Sequence, residues 1–190
     1  QTARKAKESS VPSHPPASFT LPPLPKGTAV PDMPPHLSVL CRKTEQIPAA
    51  LDAGANAVYL DFEDLRDYAE GIKTVREHGK SIPVFLATPR IQKPSEIGYF
   101  KLMERAEPDG ILIRNLGAAQ YFRQSPLHRI GDFSLNVANP YSAAILKKRG
   151  NLAHLTISYD LNAEQVADLL RAAPPEWFEL TLHQHMPMFH

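Results

Sequence analysis

The feature that most constrains the fold is a strict alternation, from Leu37 onwards, of short apolar runs with longer amphipathic stretches. Nearly continuous apolar runs suit strands that are buried on both faces. The amphipathic stretches carry helix signals, such as Asn162 before Gln165, which predict a capping box. Alternating strands and helices predict a parallel sheet with right-handed crossovers. We therefore expect an α/β fold, an incomplete (β/α) TIM-type barrel of about seven parallel strands.

The predicted elements repeat along the chain in a fixed order. Strands are predicted at residues 37–40, 57–60, 84–87, 110–113, 133–137, 155–158 and 178–182. Helices are predicted at residues 44–53, 64–78, 95–106, 117–124, 141–149 and 163–173. The first strand is not followed by G-x-G-x-x-G, which argues against a dinucleotide-binding sheet. The strand–helix repeat continues up to a seventh predicted strand, whereas a complete barrel has eight. We therefore expect a fragment of a longer barrel protein.

Proline divides the chain into two parts. Nine of the 19 prolines lie in the first 35 residues. Because proline fixes φ and removes a hydrogen-bond donor, this stretch is unsuited to a helix or a central strand. We predict an extended, proline-rich linker over residues 1–35 and the barrel domain over residues 36–190.

Composition excludes several classes of protein. The 21 Lys and Arg residues nearly balance the 20 Asp and Glu residues, so charge gives no argument for a nucleic acid or membrane partner. A single cysteine, Cys41, excludes an internal disulfide and a self-contained iron–sulfur cluster. No apolar run approaches the ~20 residues of a membrane span, and no secretory signal is visible. We expect a cytoplasmic location.

Polar side chains follow the predicted strands at the end where barrel enzymes carry their active sites. The candidate catalytic residues are Asp61, Glu63, His183 and His185. The candidate substrate-binding residues are Arg90, Arg114, Asn136 and Asn139. No set of metal ligands is assigned.

The charged candidates have competing interpretations. Asp61 and Glu63 are two residues apart, so they could bind Mg²⁺ or act as acid and base. Alternatively, Glu63 or Asp64 only caps the next helix. Arg90 and Arg114 could clamp an anionic substrate, or they could form ion pairs with the carboxylates at the barrel mouth.

The other candidates are equally open. His183 and His185 could bind a metal, contact a substrate or support the barrel mouth, or lie on the surface by chance. Asn136 and Asn139 could orient a ligand, but asparagine is also common in loops. Cys41 is more typical of a small buried hydrophobic residue than of a nucleophile.

Several segments together resemble the collagenase-like peptidase family. Residues 49–60, Ala-Ala-Leu-Asp-Ala-Gly-Ala-Asn-Ala-Val-Tyr-Leu, are similar to an early strand of that family. Residues 108–117, 133–139, 155–161 and 179–188 resemble later segments in the same order. The resemblance covers residues 37–190 and rests on the order of the segments.

The resemblance implies a TIM-type barrel with further domains of the same parent chain as its partners. Members hydroxylate RNA bases or ubiquinone precursors without oxygen, and several carry a [4Fe–4S] cluster whose cysteines would follow His190. The parent is then expected to hydroxylate an RNA base, with RNA as a possible partner and no cofactor in this fragment. The segment Ser158-Tyr159-Asp160 departs from the family, where many members have an arginine–glutamate pair.

Three other functions are compatible with the sequence. The first is a protease that acts on collagen-like or other peptides, although no nucleophile and base are evident. The second is an Mg²⁺-dependent carbon–carbon lyase, with Asp61 and Glu63 on the metal and Arg90 on a substrate carboxylate. The third is a non-catalytic scaffold whose proline-rich start recruits a partner.

Overall fold

The computed structural model describes residues 23–24, 35–79 and 81–184. The predicted linker over residues 1–35 lies outside these ranges, apart from residues 23, 24 and 35. His185 also lies outside the described residues.

The described residues form one sheet of seven parallel strands that follow each other in chain order. The strands are β1 Ser38–Cys41, β2 Ala57–Leu60, β3 Val84–Ala87, β4 Gly110–Ile113, β5 His128–Gly131, β6 His154–Thr156 and β7 Phe178–Glu179. Each strand pairs only with its sequence neighbours, which is the strand order of a TIM-type barrel. The predicted incomplete barrel is therefore confirmed.

One α-helix lies between each pair of successive strands. The α-helices are α1 Gln46–Asp52, α2 Tyr68–Glu77, α3 Gly98–Arg105, α4 Leu116–Tyr121, α5 Pro140–Gly150 and α6 Ala163–Ala172. Short 3₁₀ turns lie at Leu65–Asp67, Pro94–Glu96, Phe122–Gln124, Phe133–Leu135 and Pro175–Trp177. The predicted capping box is present at the start of α6, where Asn162 and Gln165 each accept a hydrogen bond from the other's backbone N–H.

The sheet is apolar on both faces. On one face, strand residues such as Val58 and Leu86 form a core with helix residues such as Ile47 and Phe100. On the other face, a smaller cluster consists of strand residues alone: Leu40, Ala57, Tyr59, Phe85, Ala87, Leu112 and Ile130. This second cluster fills the concave side of the sheet, as interior side chains fill a barrel.

A side-chain hydrogen bond crosses that concave side. The Tyr59 hydroxyl on β2 donates to both carboxylate oxygens of Glu179 on β7, at 2.7 and 2.9 Å. These residues are 120 positions apart and are separated by four intervening strands. The contact shows that the sheet curls into a half-barrel.

One predicted strand is misplaced. The apolar run 133–137 predicts the fifth strand, but β5 lies earlier, at His128–Gly131. Phe133–Leu135 forms a 3₁₀ turn, and Val137 makes only an isolated bridge to Ile157. The prediction failed because β5 carries two polar residues at its start and so lacks the apolar signature of its neighbours.

In the part of the chain that the structure describes, no helix is both long enough and apolar enough to cross a membrane.

Candidate active site

The concave face of the sheet ends in a layer of charged side chains. Successive strand residues point to opposite faces, so a residue two positions after an interior residue points the same way. Asp61 lies two positions after Tyr59, and Asp132 lies two positions after Ile130. Arg114 likewise follows the interior residue Leu112, so the three charged groups meet at the carboxyl end of the half-barrel.

The Arg114 guanidinium lies between two aspartates. Its Nη1 and Nη2 donate to Asp61 Oδ1 and Oδ2 at 2.5 and 2.8 Å, which is a bidentate pair. Its Nε lies 3.3 Å from Asp132 Oδ2, but the geometry makes no hydrogen bond and leaves Nε without a partner. The Arg114 backbone N–H donates to Thr88 Oγ1 at 3.0 Å, and Ser134 Oγ donates to Asp132 at 2.9 Å.

This charged layer is nearly closed to solvent. The side chains of Arg114 and Asp132 are 5% and 4% exposed, and that of Asp61 is 19% exposed. Burial disfavours the charged guanidinium, but the hydrogen bonds to Asp61 and the charges of Asp132 and Asp61 outweigh it and raise the pKa of Arg114. Arg114 is therefore a fixed cation whose charge is compensated within the protein.

An open cleft of about 1120 Å³ lies beside the layer. Asp61 and Arg114 line it together with residues that follow β1 and β2, including Arg42 and Glu63. Arg42 Nε lies 3.9 Å from Asp61 Oδ2, and the Arg42 side chain is 37% exposed. The cleft therefore offers a second guanidinium and a second carboxylate at the edge of the buried pair.

The two carboxylates of the β2–α2 loop, Glu63 and Asp64, have different surroundings. Asp64 caps the 3₁₀ turn by accepting from the Arg66 backbone N–H at 2.9 Å. Hydrogen bonds from Arg66 lower the pKa of Asp64 to about 2. Glu63 is exposed in the cleft and lies within ion-pair distance of no Lys, Arg or His side chain of the described residues. Of the competing interpretations, capping applies to Asp64 and leaves Glu63 facing the cleft.

Arg90 is separate from Arg114. Its guanidinium carbon lies 5.0 Å from the centroid of the Phe133 ring, and its side chain is exposed. The ion pair foreseen for the arginines is thus formed by Arg114 with Asp61, while Arg90 packs on an aromatic ring. The two arginines therefore have different partners, a ring for Arg90 and two carboxylates for Arg114.

Both predicted asparagines lie in the segment between β5 and β6. Asn139 is the N-cap of α5, and its Oδ1 accepts from the backbone N–H groups of Tyr141 and Ser142. Asn136 is exposed and has a φ of 52°, a left-handed conformation that asparagine tolerates. Their predicted contact with a ligand stays a prediction.

The remaining candidates are the two histidines and Cys41. His183 is exposed in the segment that follows β7, and His185 is outside the described residues. Cys41 is 1% exposed at the end of β1, and burial raises the pKa of its thiol to about 11. A thiol that stays protonated at neutral pH is not an activated nucleophile, as its sequence context indicated.

Sequence reasoning missed two charged residues of the concave face, Asp132 and Glu179. Asp132 was overlooked because the fifth strand was placed after it rather than before it. The chain is tightly packed at the neighbouring Gly131, where a Cβ would lie 2.6 Å from a Leu155 methyl group, but this contact is visible only in the structure. Glu179 follows Phe178 in the last predicted strand, where the position of its partner Tyr59 was not visible from sequence.

The described residues do not fit the Mg²⁺ site foreseen for Asp61 and Glu63. Both Asp61 oxygens are engaged by Arg114. Over residues 35–79 and 81–184, no three His, Cys, Asp or Glu side chains converge as metal ligands. Magnesium keeps several waters and needs only one or two protein carboxylates, but a carboxylate whose two oxygens are paired with a buried guanidinium is not available as a ligand.

Comparison with known proteins gives matches of structure only. No family model matches the chain, and no curated protein matches it significantly. A mandelate racemase/muconate lactonizing family protein from Azoarcus sp. EbN1 is similar over 77% of this chain and 42% of its own, with 15% identity and a TM-score of 0.57. A glycerol uptake operon antiterminator-related protein from Thermotoga maritima MSB8 is similar over 77% of this chain and 94% of its own, with 9% identity and a TM-score of 0.50.

A third similar structure is an unknown member of the enolase superfamily from Enterococcus faecalis V583. The match covers 64% of this chain and 35% of that protein, with 11% identity and a TM-score of 0.46. The chain spans less than half the length of the mandelate racemase/muconate lactonizing family protein.

These findings correct the family prediction. The similar structure from Azoarcus belongs to the mandelate racemase/muconate lactonizing family, not to the collagenase-like peptidases, and no family model supports the latter. The assignment as a peptidase-family protein is therefore wrong, and with it the RNA-base hydroxylase and protease functions. The expectation of an iron–sulfur cluster beyond His190 came from the same resemblance and loses its support. What the comparisons establish is the fold, a TIM-type half-barrel similar to part of a mandelate racemase/muconate lactonizing family protein.

Proposed function

We propose that this chain is the barrel portion of an enzyme that moves a proton on a small organic acid, in a reaction of the lyase or racemase type. The observation that carries the proposal is the buried Asp61–Arg114–Asp132 layer that borders an open cleft at the carboxyl ends of the strands. Barrel enzymes carry their active sites at this end. The likeness to a protein named for a racemase and a lactonizing enzyme supports the reaction class by analogy.

The energetic argument concerns why this layer is charged. Removing a guanidinium and two carboxylates from water is costly, and apolar residues of similar volume would often be as stable. Barrel interiors are usually filled by apolar side chains, as the rest of the concave face is here. Charged groups retained next to a cleft therefore favour a site over a purely structural core.

In the proposed reaction Glu63 is the base. Its carboxylate, which faces the cleft, takes the proton from the carbon next to the substrate carboxylate. The electron pair of that C–H bond moves towards the carboxylate and forms an enediolate with two negative charges. An arginine that holds the carboxylate stabilises the added negative charge. Delivery of a proton from solvent to the opposite face gives the racemase reaction, whereas departure of a leaving group from the neighbouring carbon forms a C=C bond and gives the lyase reaction.

The other residues hold the site. Arg114 is already compensated by Asp61 and Asp132, so it fixes the floor of the cleft rather than binding the acid. Arg90 has no carboxylate within ion-pair distance in the described part of the chain, which makes it the better anchor for an acid. Pro89, the residue before Arg90, lines the same cleft as Glu63. Because the described residues do not fit a divalent cation, no step passes through a metal.

Hydrogen exchange at carbon tests the proposal directly. The full chain is incubated in D₂O with a panel of small carboxylic acids that carry a C–H next to the carboxylate, and loss of the C–H signal is followed by ¹H NMR. We expect at least one acid to exchange with the wild-type protein and the Glu63→Gln variant to lower that rate by about 10²–10⁴-fold, the usual contribution of a general base. Glu164→Gln, an exposed carboxylate on α6, is the matched control and should exchange like wild type.

Two results would contradict the proposal. If no acid of the panel exchanges, the reaction class is wrong. If Glu63→Gln exchanges as fast as Glu164→Gln, proton transfer is retained but Glu63 is not its base.

A further inference from the structure

Three side chains at the rim of the half-barrel form a stack that the buried charged layer does not use. Arg90 follows β3, Phe133 follows β5 and Tyr159 follows β6. The Phe133 ring contacts the Arg90 guanidinium at 5.0 Å and the Tyr159 ring at 4.8 Å between centroids, with the two rings inclined by 60°. We call these three residues the rim stack.

Burial within the rim stack is uneven. Phe133 is 8% exposed, whereas Tyr159 is 48% exposed and Arg90 is also exposed. The buried ring therefore supports two groups that face solvent. An exposed phenol ring and an exposed guanidinium around one buried ring offer a ligand both a π-face and a cation.

The Arg90 guanidinium is suited to a carboxylate. Among residues 35–79 and 81–184, no Asp or Glu side chain lies within ion-pair distance of it, in contrast to Arg114. A guanidinium that lies on a ring keeps its edge N–H groups available, and these match the two oxygens of a carboxylate. Stacking also restricts the side chain before a ligand binds, which reduces the entropy lost on binding.

The backbone below Arg90 is held as well. Asn115, the N-cap of α4, donates from Nδ2 to the carbonyl oxygen of Pro89 at 2.8 Å, while its Oδ1 accepts from the Ala118 backbone N–H. Phe133 follows Asp132, which is part of the buried layer. The backbone on the Arg90 side is thus held by the start of α4, and Phe133 adjoins the buried charged layer through Asp132.

We infer that the rim stack is a binding subsite for an aromatic carboxylate, with the carboxylate on Arg90 and the ring against Tyr159. This inference deepens the proposed function, on which it rests, because it names the class of acid. It assigns Arg90 to charge recognition and Tyr159 to discrimination between planar and non-planar acids.

Equilibrium binding to the full chain, measured by calorimetry or ligand-observed NMR, tests the inference without turnover. The probes are benzoate, cyclohexanecarboxylate, which has the same charge and ring size but is not planar, and benzamide, which is planar but uncharged. We expect benzoate to bind about 3- to 10-fold more tightly than cyclohexanecarboxylate, since aromatic pairs contribute about 0.5–1.5 kcal/mol. Benzamide should bind more weakly than benzoate because it lacks the charge.

Two variants separate the roles. Arg90→Gln should weaken benzoate binding at least 10-fold, whereas Arg123→Gln, an exposed arginine on the turn after α4, should leave it unchanged. Tyr159→Leu should keep binding of both acids but remove the preference for benzoate. Circular dichroism of each variant shows whether it is folded.

The inference is overturned if benzoate does not bind, if both acids bind equally to wild type, or if Arg90→Gln binds like Arg123→Gln. Different results would reject the proposed reaction and the proposed subsite. Arg90-dependent benzoate binding without any hydrogen exchange would retain the subsite and reject the reaction, and exchange that Arg90→Gln leaves unchanged would do the reverse.

Discussion

At the scale of single residues, Arg114 shows that the role of a charged side chain depends on the side chains that it contacts. From sequence it was equally an anchor for a substrate anion and a member of an ion pair. The structure gives it two carboxylates, Asp61 through a bidentate pair and Asp132 through Nε. A buried and compensated guanidinium is suited to organising a site, whereas Arg90 lies on a ring, which is why we propose Arg90 as the anchor for a ligand.

Loss of the Asp61 charge should be costly for stability. In Asp61→Asn the Arg114 guanidinium stays buried with only the poorly aligned Asp132, so we expect a loss of about 2–4 kcal/mol in the free energy of unfolding. Asp168→Asn, which breaks the exposed Asp168–Arg171 pair, should cost less than about 0.5 kcal/mol. Urea denaturation measures both variants, and equal midpoints for the two would show that the buried pair has no special role.

At the scale of elements, the segment between β5 and β6 differs most from its prediction. The run 133–137 has the apolar composition of a strand but supplies a 3₁₀ turn and a single bridge. The true strand, β5, begins with His128 and Arg129, and Arg129 donates to the carbonyl oxygens of Leu127 and Asn151. Hydrogen bonds to loop carbonyls, one of them 22 residues away, make a polar residue acceptable there, and a periodicity argument does not detect them.

Substitutions of Asn139 test whether its side chain stabilises α5 by capping. Because its side chain caps α5, Asn139→Ala should lower the free energy of unfolding by about 1 kcal/mol. Asn139→Asp should keep the stability of wild type, because aspartate caps equally well and its charge suits the helix N-terminus. Thermal unfolding of the three proteins measures this, and an Ala variant as stable as wild type would contradict the capping role.

At the scale of the whole molecule, the curl of the sheet brings together residues from its two ends. Tyr59 and Glu179 are bonded across the concave side, and burial together with the charge of Glu179 raises the pKa of Tyr59, so its hydroxyl remains a donor. The Ile157 backbone N–H donates to the Glu179 carbonyl oxygen and ties the same strand to β6. β7 is thus held at its side chain by β2 and at its backbone by β6.

Removal of the Tyr59 hydroxyl should loosen this end of the half-barrel. In Tyr59→Phe the Glu179 carboxylate loses its donor, and we expect a loss of about 1–3 kcal/mol in the free energy of unfolding. Hydrogen exchange should accelerate at the Ile157 amide more than at amides of β3, which lies in the middle of the sheet. Tyr121→Phe, which removes an exposed hydroxyl bonded to Glu104, is the control, and equal effects of the two variants would exclude a role in closure.

The sequence by itself determined the architecture, because alternation of apolar and amphipathic segments leaves few ways to bury the apolar surface. It placed β2, β3 and β4 at their observed bounds and located charged residues at the strand ends. It did not determine the family, since short apolar segments in a common order recur in unrelated barrels. Only the tertiary structure decided that Asp61, Arg114 and Asp132 form one buried layer and that Arg90 joins Phe133 and Tyr159 instead. The physical reason is that the alternation of side chains along each strand and the curvature of the sheet decide which distant side chains meet. Their charges and aromatic rings then decide which of them pair.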